Sequence, residues 1–449
     1  MARRRHVIVG GGTAAINAIA TIREIDRGAS EIVLVADERP YSRMVLPYFL
    51  GGKIGRQHVF TLTPRRLAEL GVDAAQLGRR AVALDTAAQR LELDDGTRVA
   101  YDDLLVATGS RPSLPPIPGA EGPGVHPFWT LAHADALLGE IGPGRDVVLV
   151  GAGFIAFTIL GALLRRGVRL AILEAEPRIL PHVVDAGGAE LVTEWLVRHG
   201  VTVRPGTRLT AIESAGGRRR LSLAGGETIA ADVVILATGV RPNLEWLRGS
   251  GVEVARGILV DERLRSSAPN VHAAGDVAEA VDRVTGLRAL FAIEPAAMEQ
   301  GRVAGANLAG RETRYRGTLS MNVVDVQGLE IASFGAWDDP AAESSAVARE
   351  APRGYRRLLF GGGGDRLTGA IVVGHSRDVW STHDVGMLKG LVQTGTPLGA
   401  WKRVLLRNPW EIRRAFVAGG VVGRLLPETL LGAPSVSMDG LSATGGEPR

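Results

Sequence analysis

The chain has 449 residues and a mass of 47.4 kDa, more than one ordinary α/β domain needs, and its 45% hydrophobic and 22% charged residues imply two or three domains with sizeable cores. It contains no cysteine, which excludes internal disulfides, thiolate zinc, cysteine-held iron–sulfur clusters, a thiol nucleophile and a redox-active dithiol, so any redox chemistry must be borrowed from a bound organic cofactor. Its 52 basic and 48 acidic residues leave a net charge of +4, too little over this length for a nucleic-acid footprint.

The opening segment, residues 1–12, imitates a signal peptide, with arginines before an apolar run, yet Gly10-Gly11-Gly12 interrupts it and no clean cleavage site follows. We read it instead as a strand, His6–Val9, entering a glycine turn, Gly10-Gly11-Gly12-Thr13-Ala14-Ala15. A helix to about Glu24 and a second strand, Ile32–Val35, follow, and the strand ends at Asp37-Glu38. The same order recurs further on: Val147–Val150, then Gly151-Ala152-Gly153-Phe154-Ile155-Ala156, a helix to about Arg166, and a strand Arg169–Leu173 ending at Glu174. Val147–Leu164 is uncharged over eighteen residues, but its β-branched start, glycine turn and helical continuation read as a buried strand entering a buried helix rather than a membrane span.

Both turns read GxGxxA. The first glycine permits the tight turn, the second lets a pyrophosphate approach the backbone, and the third position must be small for helix and strand to pack. The helix N-terminus offers N–H groups to the phosphate, and an acid ending the second strand accepts from ribose hydroxyls. A second repeat supports the duplication: Leu104–Pro112, with Ala107-Thr108-Gly109, is echoed by Ile235–Pro242, with Thr238-Gly239. Each closes a strand after a stretch of hairpin character, such as Arg90–Leu93, a turn at Asp94–Thr97, and Val99–Leu105.

Together these motifs resemble the pyridine nucleotide–disulfide oxidoreductase superfamily over roughly Arg5 to Gly335; Asn270–Asp276 resembles its second FAD motif. The resemblance implies an α/β chain with two Rossmann-like, three-layer dinucleotide-binding domains and a C-terminal α+β interface domain. Its expected layout is a discontinuous FAD domain (1–120 and 240–316), an NAD(P) domain (121–239), the interface domain (317–400), a basic helical extension (401–433) and a disordered tail (434–449). By the family's order, Gly10, Gly11, Gly12, Thr13, Ala15, Asp37, Glu38, Arg43, Val82, Ala107, Thr108, Gly109, Gly275 and Asp276 would hold FAD. Gly151, Gly153, Phe154, Ile155, Glu174 and Gly239 would hold the nicotinamide nucleotide.

Within the superfamily, Pro40–Tyr48 is similar to the segment of nitrite-reductase-type, rubredoxin reductase and ferredoxin reductase flavoproteins, with Met44 where disulfide-reducing relatives place a redox cysteine. Tyr48 stands where ferredoxin reductase relatives carry a lysine, and Thr158 where many carry a glutamate; these two are the candidate ring-adjacent side chains. Glu174, 21 residues beyond Gly153, would repel a 2′-phosphate and favours NADH over NADPH, while Arg178 is the residue that could reverse this. The plain alternative for Glu174-Ala175-Glu176 is a solvated strand end. Pro295–Leu308 reads as a helix, and the resemblance implies that its N-terminal dipole faces the flavin pyrimidine ring.

The nine histidines show no metal-binding spacing, and no Gly-x-Ser-x-Gly nucleophile motif is present. From about Gly317, short β-like runs (Met321–Val326, Ile331–Phe334, Tyr355–Phe360, Thr368–Val373) precede helical Val385–Val392 and the basic, tryptophan-bearing Trp401–Phe416, divided at Pro409. That last stretch is open to three readings: an amphipathic pair with tryptophans in a core, a docking surface for an acidic redox partner, or a membrane-surface anchor. The expectation as a whole is a cytoplasmic, homodimeric FAD-dependent NAD(P)H oxidoreductase that passes electrons to an external carrier or partner subunit. Its alternatives are an NADH oxidase or quinone reductase, and a flavin- and NADH-binding sensor or assembly subunit with weak catalysis.

Overall fold

The computed structural model describes residues 3–344, 348–350, 354–376 and 379–421; the proposed tail at Pro434–Arg449 and the last part of the basic extension lie outside them. The chain is α/β, built on two parallel five-stranded sheets.

In the first, the strand Arg5–Val9 lies at the centre, with Glu31–Ala36 and Ala74–Leu77 on one side and Asp103–Val106 and Val271–Ala273 on the other. All four pairings are parallel, for instance Val7 beside Val33 and Leu104. The central strands are buried on both faces, which is why they read as unbroken β-branched and leucine runs. Helix Thr13–Asp26 covers one face, and helix Glu294–Leu308 packs against it. That packing requires glycine: a Cβ on Gly301 or Gly305 would collide with the carbonyl of Ala14 or Ala18.

The second sheet repeats the plan: Asp146–Val150 lies between Arg169–Leu173 and Val233–Leu236, with Thr202–Arg204 and Val125–Pro127 at the edges, all parallel. Helix Phe154–Arg165 follows its glycine turn, so the apolar run at Val147–Leu164 is indeed strand, turn and helix. No helix among the described residues is long and apolar enough to cross a membrane. Each module also carries a three-stranded antiparallel sheet, 81–100 in the first and 209–231 in the second. The expected single strand Val99–Leu105 is two strands: Arg98–Ala100 finishes the antiparallel sheet and Asp103–Val106 joins the parallel one. Between them Asp102 turns the chain, its N–H donating to the Arg5 carbonyl and its carboxylate accepting from the Arg5 N–H. The modules are joined by a short antiparallel ladder in which Ser110–Pro112 pairs with Val240–Pro242, the two echoed Arg-Pro motifs.

After residue 317, Met321–Val326, Leu329–Gly335, Leu367–His375 and Gly354–Phe360 form an antiparallel sheet. Alternate side chains serve two cores: Ile371 and Val373 face the second module, whereas Ala370 and Val372 face helix Val379–Thr394, on which helix Ile412–Ala418 packs. The second-module contact includes hydrogen bonds from Tyr355 Oη to Asp185 (2.5 Å) and from Trp195 Nε1 to the Val326 carbonyl (3.0 Å). Asn408–Trp410 separates helices Ala400–Arg407 and Ile412–Ala418. Leu405, Ile412 and Phe416 are buried between helices and sheet, and Trp410 stacks over the fully buried Arg356, whose guanidinium pairs with Asp384 at 2.9 Å. Packing therefore accounts for these apolar residues and Trp410, while Arg403 and Arg407 remain on the exposed side.

Candidate cofactor site

The two glycine turns close identically. Gly10 N–H donates to the Val35 carbonyl at 2.7 Å, and Gly151 N–H donates to that of Leu173 at 2.8 Å. Ala107 N–H then donates to Val9, and Ala237 N–H to Val150. Gly10 (φ +119°) and Gly151 (φ +93°) have positive φ, and a Cβ on either would run into the carbonyl of Ala107 or Ala237. The third small positions, Ala15 and Ala156, are fully buried between helix and sheet.

The second glycine of each turn behaves differently. A Cβ on Gly12 or Gly153 would meet nothing within 4 Å. Both glycines are helix N-caps, and neither helix start has a side-chain cap, although Thr63, Thr130 and Asp185 cap other helices of the chain. The first N–H groups of these two helices are thus available to an anion.

In front of the first turn lies a cleft of about 860 Å³, within the usual span of cofactor sites. It brings together Gly10, Gly11, Gly12, Asp37, Glu38, Arg43, Val82, Ala107, Thr108 and Gly109, ten of the residues expected around FAD. Glu38 accepts from Tyr41 Oη (2.8 Å) and Arg43 Nη2 (3.2 Å), and Arg43 also donates to the Trp129 carbonyl (2.9 Å). Burial pushes the Tyr41 phenol up, with Arg43 opposing, so it stays a neutral donor. The other four expected residues support the cleft without lining it. Thr13 Oγ1 donates to Glu294 (3.0 Å), Ala15 is packed beneath the turn, Gly275 N–H donates to Gln300 Oε1 (2.8 Å), and Asp276 accepts from Ser110 Oγ (2.6 Å). Burial raises the Asp276 pKa, while the Ser110 hydroxyl works against that.

The two ring-adjacent candidates are not brought together here. Tyr48 is half exposed beside Lys53 and does not line the cleft. Thr158 turns its hydroxyl back to the Ile155 carbonyl at 2.7 Å within its own helix. At the second turn, Phe154 and Ile155 open the helix, Gly239 (φ +103°) has open space where a Cβ would be, and Glu174 is buried. Its carboxylate accepts from the N–H groups of Ala152 (2.7 Å) and Glu176 (2.9 Å), which overturns the solvated-strand-end reading for Glu174, whereas Ala175 and Glu176 are exposed. Arg178 donates to the Pro181 and Val184 carbonyls of its own loop.

Sequence reasoning missed Tyr41, Trp129, Asn243, Trp246 and Glu294. The first four line the cleft. Asn243 follows the second Arg-Pro repeat and bonds the Thr108 carbonyl (2.8 Å), so that repeat held the signal. Trp246 lines the cleft with a buried indole N–H that has no partner among the described residues, a donor left for whatever fills the space. Helix Glu294–Leu308 begins one residue earlier than expected. Glu294 accepts from Thr13 and Ser42, so a carboxylate sits at the positive dipole end otherwise open to an anionic group.

The sequence matches the family described as pyridine nucleotide-disulphide oxidoreductase over residues 4–301, about two thirds of the chain. The chain belongs to this family. It is 32% identical to the NADH-dependent phenylglyoxylate dehydrogenase subunit epsilon of Aromatoleum evansii over 418 residues, covering 92% of this chain and 97% of that one. It is 33% identical to rhodocoxin reductase of Rhodococcus erythropolis over 315 residues, covering 69% and 73%. Among solved structures, the NAD-dependent persulfide reductase from A. fulgidus superposes with a TM-score of 0.82 at 27% identity, covering 94% of this chain and 84% of that one. As a member of the pyridine nucleotide-disulphide oxidoreductases, the chain is an oxidoreductase using FAD and a pyridine nucleotide. Its uncapped glycine turns and the unpartnered Trp246 N–H fit such groups.

Proposed function

We propose that this chain takes a hydride from NADH and delivers electrons to an acceptor outside the polypeptide, a redox carrier or a partner oxidoreductase subunit. The observation that carries this is the pair of identically closed, uncapped glycine turns in a chain without cysteine, which supplies two nucleotide sites and no internal thiol relay.

FAD, held in the cleft of the first turn, supplies the redox centre between nicotinamide and acceptor. Gly12 and the first N–H groups of helix Thr13–Asp26 receive its pyrophosphate, Glu38 binds a ribose hydroxyl, and Arg43 neutralises phosphate charge from the opposite wall. Ser110, which lines the cleft and is held by Asp276 behind it, faces the ribityl chain, and the Trp246 N–H donates into the cleft. Gly153 and its helix start receive the nicotinamide nucleotide's pyrophosphate. NADH is favoured because Glu174 places a carboxylate at the turn and Arg178, the cation able to welcome a 2′-phosphate, is engaged by Pro181 and Val184.

The relative from Aromatoleum evansii is named as a subunit of an NADH-dependent dehydrogenase and the rhodococcal one as a reductase, which supports a protein acceptor. The test is NADH oxidation by the FAD-loaded chain, aerobically with oxygen uptake recorded and anaerobically with ferredoxin or cytochrome c. Slow oxygen uptake with rapid carrier reduction supports the reading. Oxygen consumed at the full rate of NADH oxidation turns it to an oxidase. The unusual Tyr48 and Thr158 favour a second reading, a flavin- and NADH-binding assembly subunit, and that reading predicts slow turnover with every acceptor.

A further inference from the structure

A second cleft, of about 680 Å³, lies at the end of the first parallel sheet remote from its glycine turn. The strands Arg5–Val9, Asp103–Val106 and Val271–Ala273 are parallel, and their C-terminal ends lead into Gly10, Ala107 and Ala274; this cleft is built at their N-terminal ends, from Arg4, His6, Asp103 and Asn270. The proposed FAD contacts use none of these residues.

Its charged groups are unequally committed. Asp103 is saturated, accepting from Arg4 Nε (2.6 Å) and Nη2 (2.8 Å) with His6 Nδ1 at 3.1 Å. Asp26, on the rim, accepts from Ser30 and from the Gly28 N–H and pairs with Arg23. Arg265 is exposed, and its guanidinium has no partner among the described residues. His272 is only 6% exposed, yet neither ring nitrogen has a hydrogen-bond partner among the described residues. A neutral imidazole must carry one N–H, so this wall holds a buried donor with nothing to donate to, beside a free cation. The facing charges on His272 are Asp103, Arg265, Asp261 and His6, and burial outweighs them, lowering its pKa to about 4; it stands neutral near pH 7.

We propose that this cleft binds a small molecule bearing an oxyanion, phosphate or carboxylate, held by the Arg265 guanidinium and the His272 N–H. Asp103 and Asp26 are neutralised by their own partners, and Asp261, which does not line the cleft, accepts from the Arg263 and Arg265 N–H groups. The charge facing the cleft is therefore that of Arg265, which selects an anion. The volume exceeds what one oxyanion fills and leaves room for an organic body along the Ser266–Asn270 wall.

The experiment uses the FAD-loaded full chain with ring-¹⁵N-labelled histidine, titrated with inorganic phosphate and with acetate at ionic strength matched by chloride. The expected result is a saturable shift of the His272 ring signals with a rise in its pKa, leaving the flavin spectrum unchanged. Arg265→Ala, a surface substitution, should weaken the effect by about tenfold, the loss of one charge-assisted hydrogen bond. His272→Asn should weaken binding measured calorimetrically. Response to phosphate alone narrows the class to phosphate; response to both keeps it at oxyanions. Signals indifferent to both anions, an equal response to chloride, or an unchanged affinity in Arg265→Ala would each overturn the proposal and leave a water-filled cleft.

Discussion

The two glycine turns share their backbone but not their surroundings. At the first, the strand-end acid Glu38 points into a walled cleft and is gripped by Tyr41 and Arg43. At the second, Glu174 folds back on its own turn and accepts from Ala152 and Glu176. The helix behind the first turn is locked to Glu294–Leu308 through Gly301 and Gly305, whereas that behind the second leans on the C-terminal sheet and on helix Leu46–Leu50. One βαβ plan thus yields a deep, braced cradle suited to a resident cofactor and an opener turn suited to a nucleotide that comes and goes. In the second, the strand-end acid itself holds the turn in shape.

Alanine at each glycine position breaks the comparison in a different place. Gly10→Ala forces both a positive φ and a collision with the Ala107 carbonyl, so it should cost several kcal/mol and abolish soluble, flavin-bearing protein. Gly12→Ala has room for its Cβ and an ordinary backbone, so it should melt near the parent temperature yet lose flavin; thermal denaturation with flavin content after gel filtration separates the two. Gly153→Ala should keep its flavin and raise the NADH concentration needed for half-maximal flavin reduction by about tenfold, roughly 1.4 kcal/mol of phosphate contact. If Gly12→Ala retained flavin, or Gly153→Ala lost it, the assignment of the turns would be reversed.

Acid sharpens the difference further, because the first module carries two buried groups with strongly lowered pKa values. His272, lowered by burial from 6.5 to about 4, contributes stability that is fully present above pH 6.5 and is lost as pH falls toward 4, about 3 kcal/mol in all. Asp103, where burial is outweighed by Arg4 and His6, is lowered from 3.8 to about 2, so its contribution of roughly 2 kcal/mol is lost only below pH 4. Flavin fluorescence should therefore rise with acid in a first step that His272→Asn removes, and a later one that Asp103→Asn removes. A smaller effect is expected at Glu174: Glu174→Ala should narrow the NADH over NADPH preference in kcat/KM by a few fold, at some cost to the unliganded turn.

The turns, their strands and helices were legible because glycine spacing and β-branched runs are local signals. The cleft's far wall was not, since Trp129, Asn243 and Trp246 come from segments far along the chain and meet the first turn only through the Ser110–Pro112 and Val240–Pro242 ladder. Alignment by position put Tyr48 and Thr158 near the ring, but the orientation of a side chain on a short helix or one turning back to its own carbonyl leaves no trace in spacing. The corner at Asp102 was marked by the Asp102-Asp103 pair that divides Val99–Tyr101 from Leu104–Val106, a signal that reading one strand across Val99–Leu105 passed over. The remote cleft is legible only once three separate strands are laid side by side.

Anaerobic stopped-flow mixing of the FAD-loaded protein with NADH and, separately, NADPH, following the absorbance band of oxidised flavin, tests the central claim most directly. The account predicts fast bleaching with NADH and much slower bleaching with NADPH. Bound flavin that bleaches with neither nucleotide would contradict it.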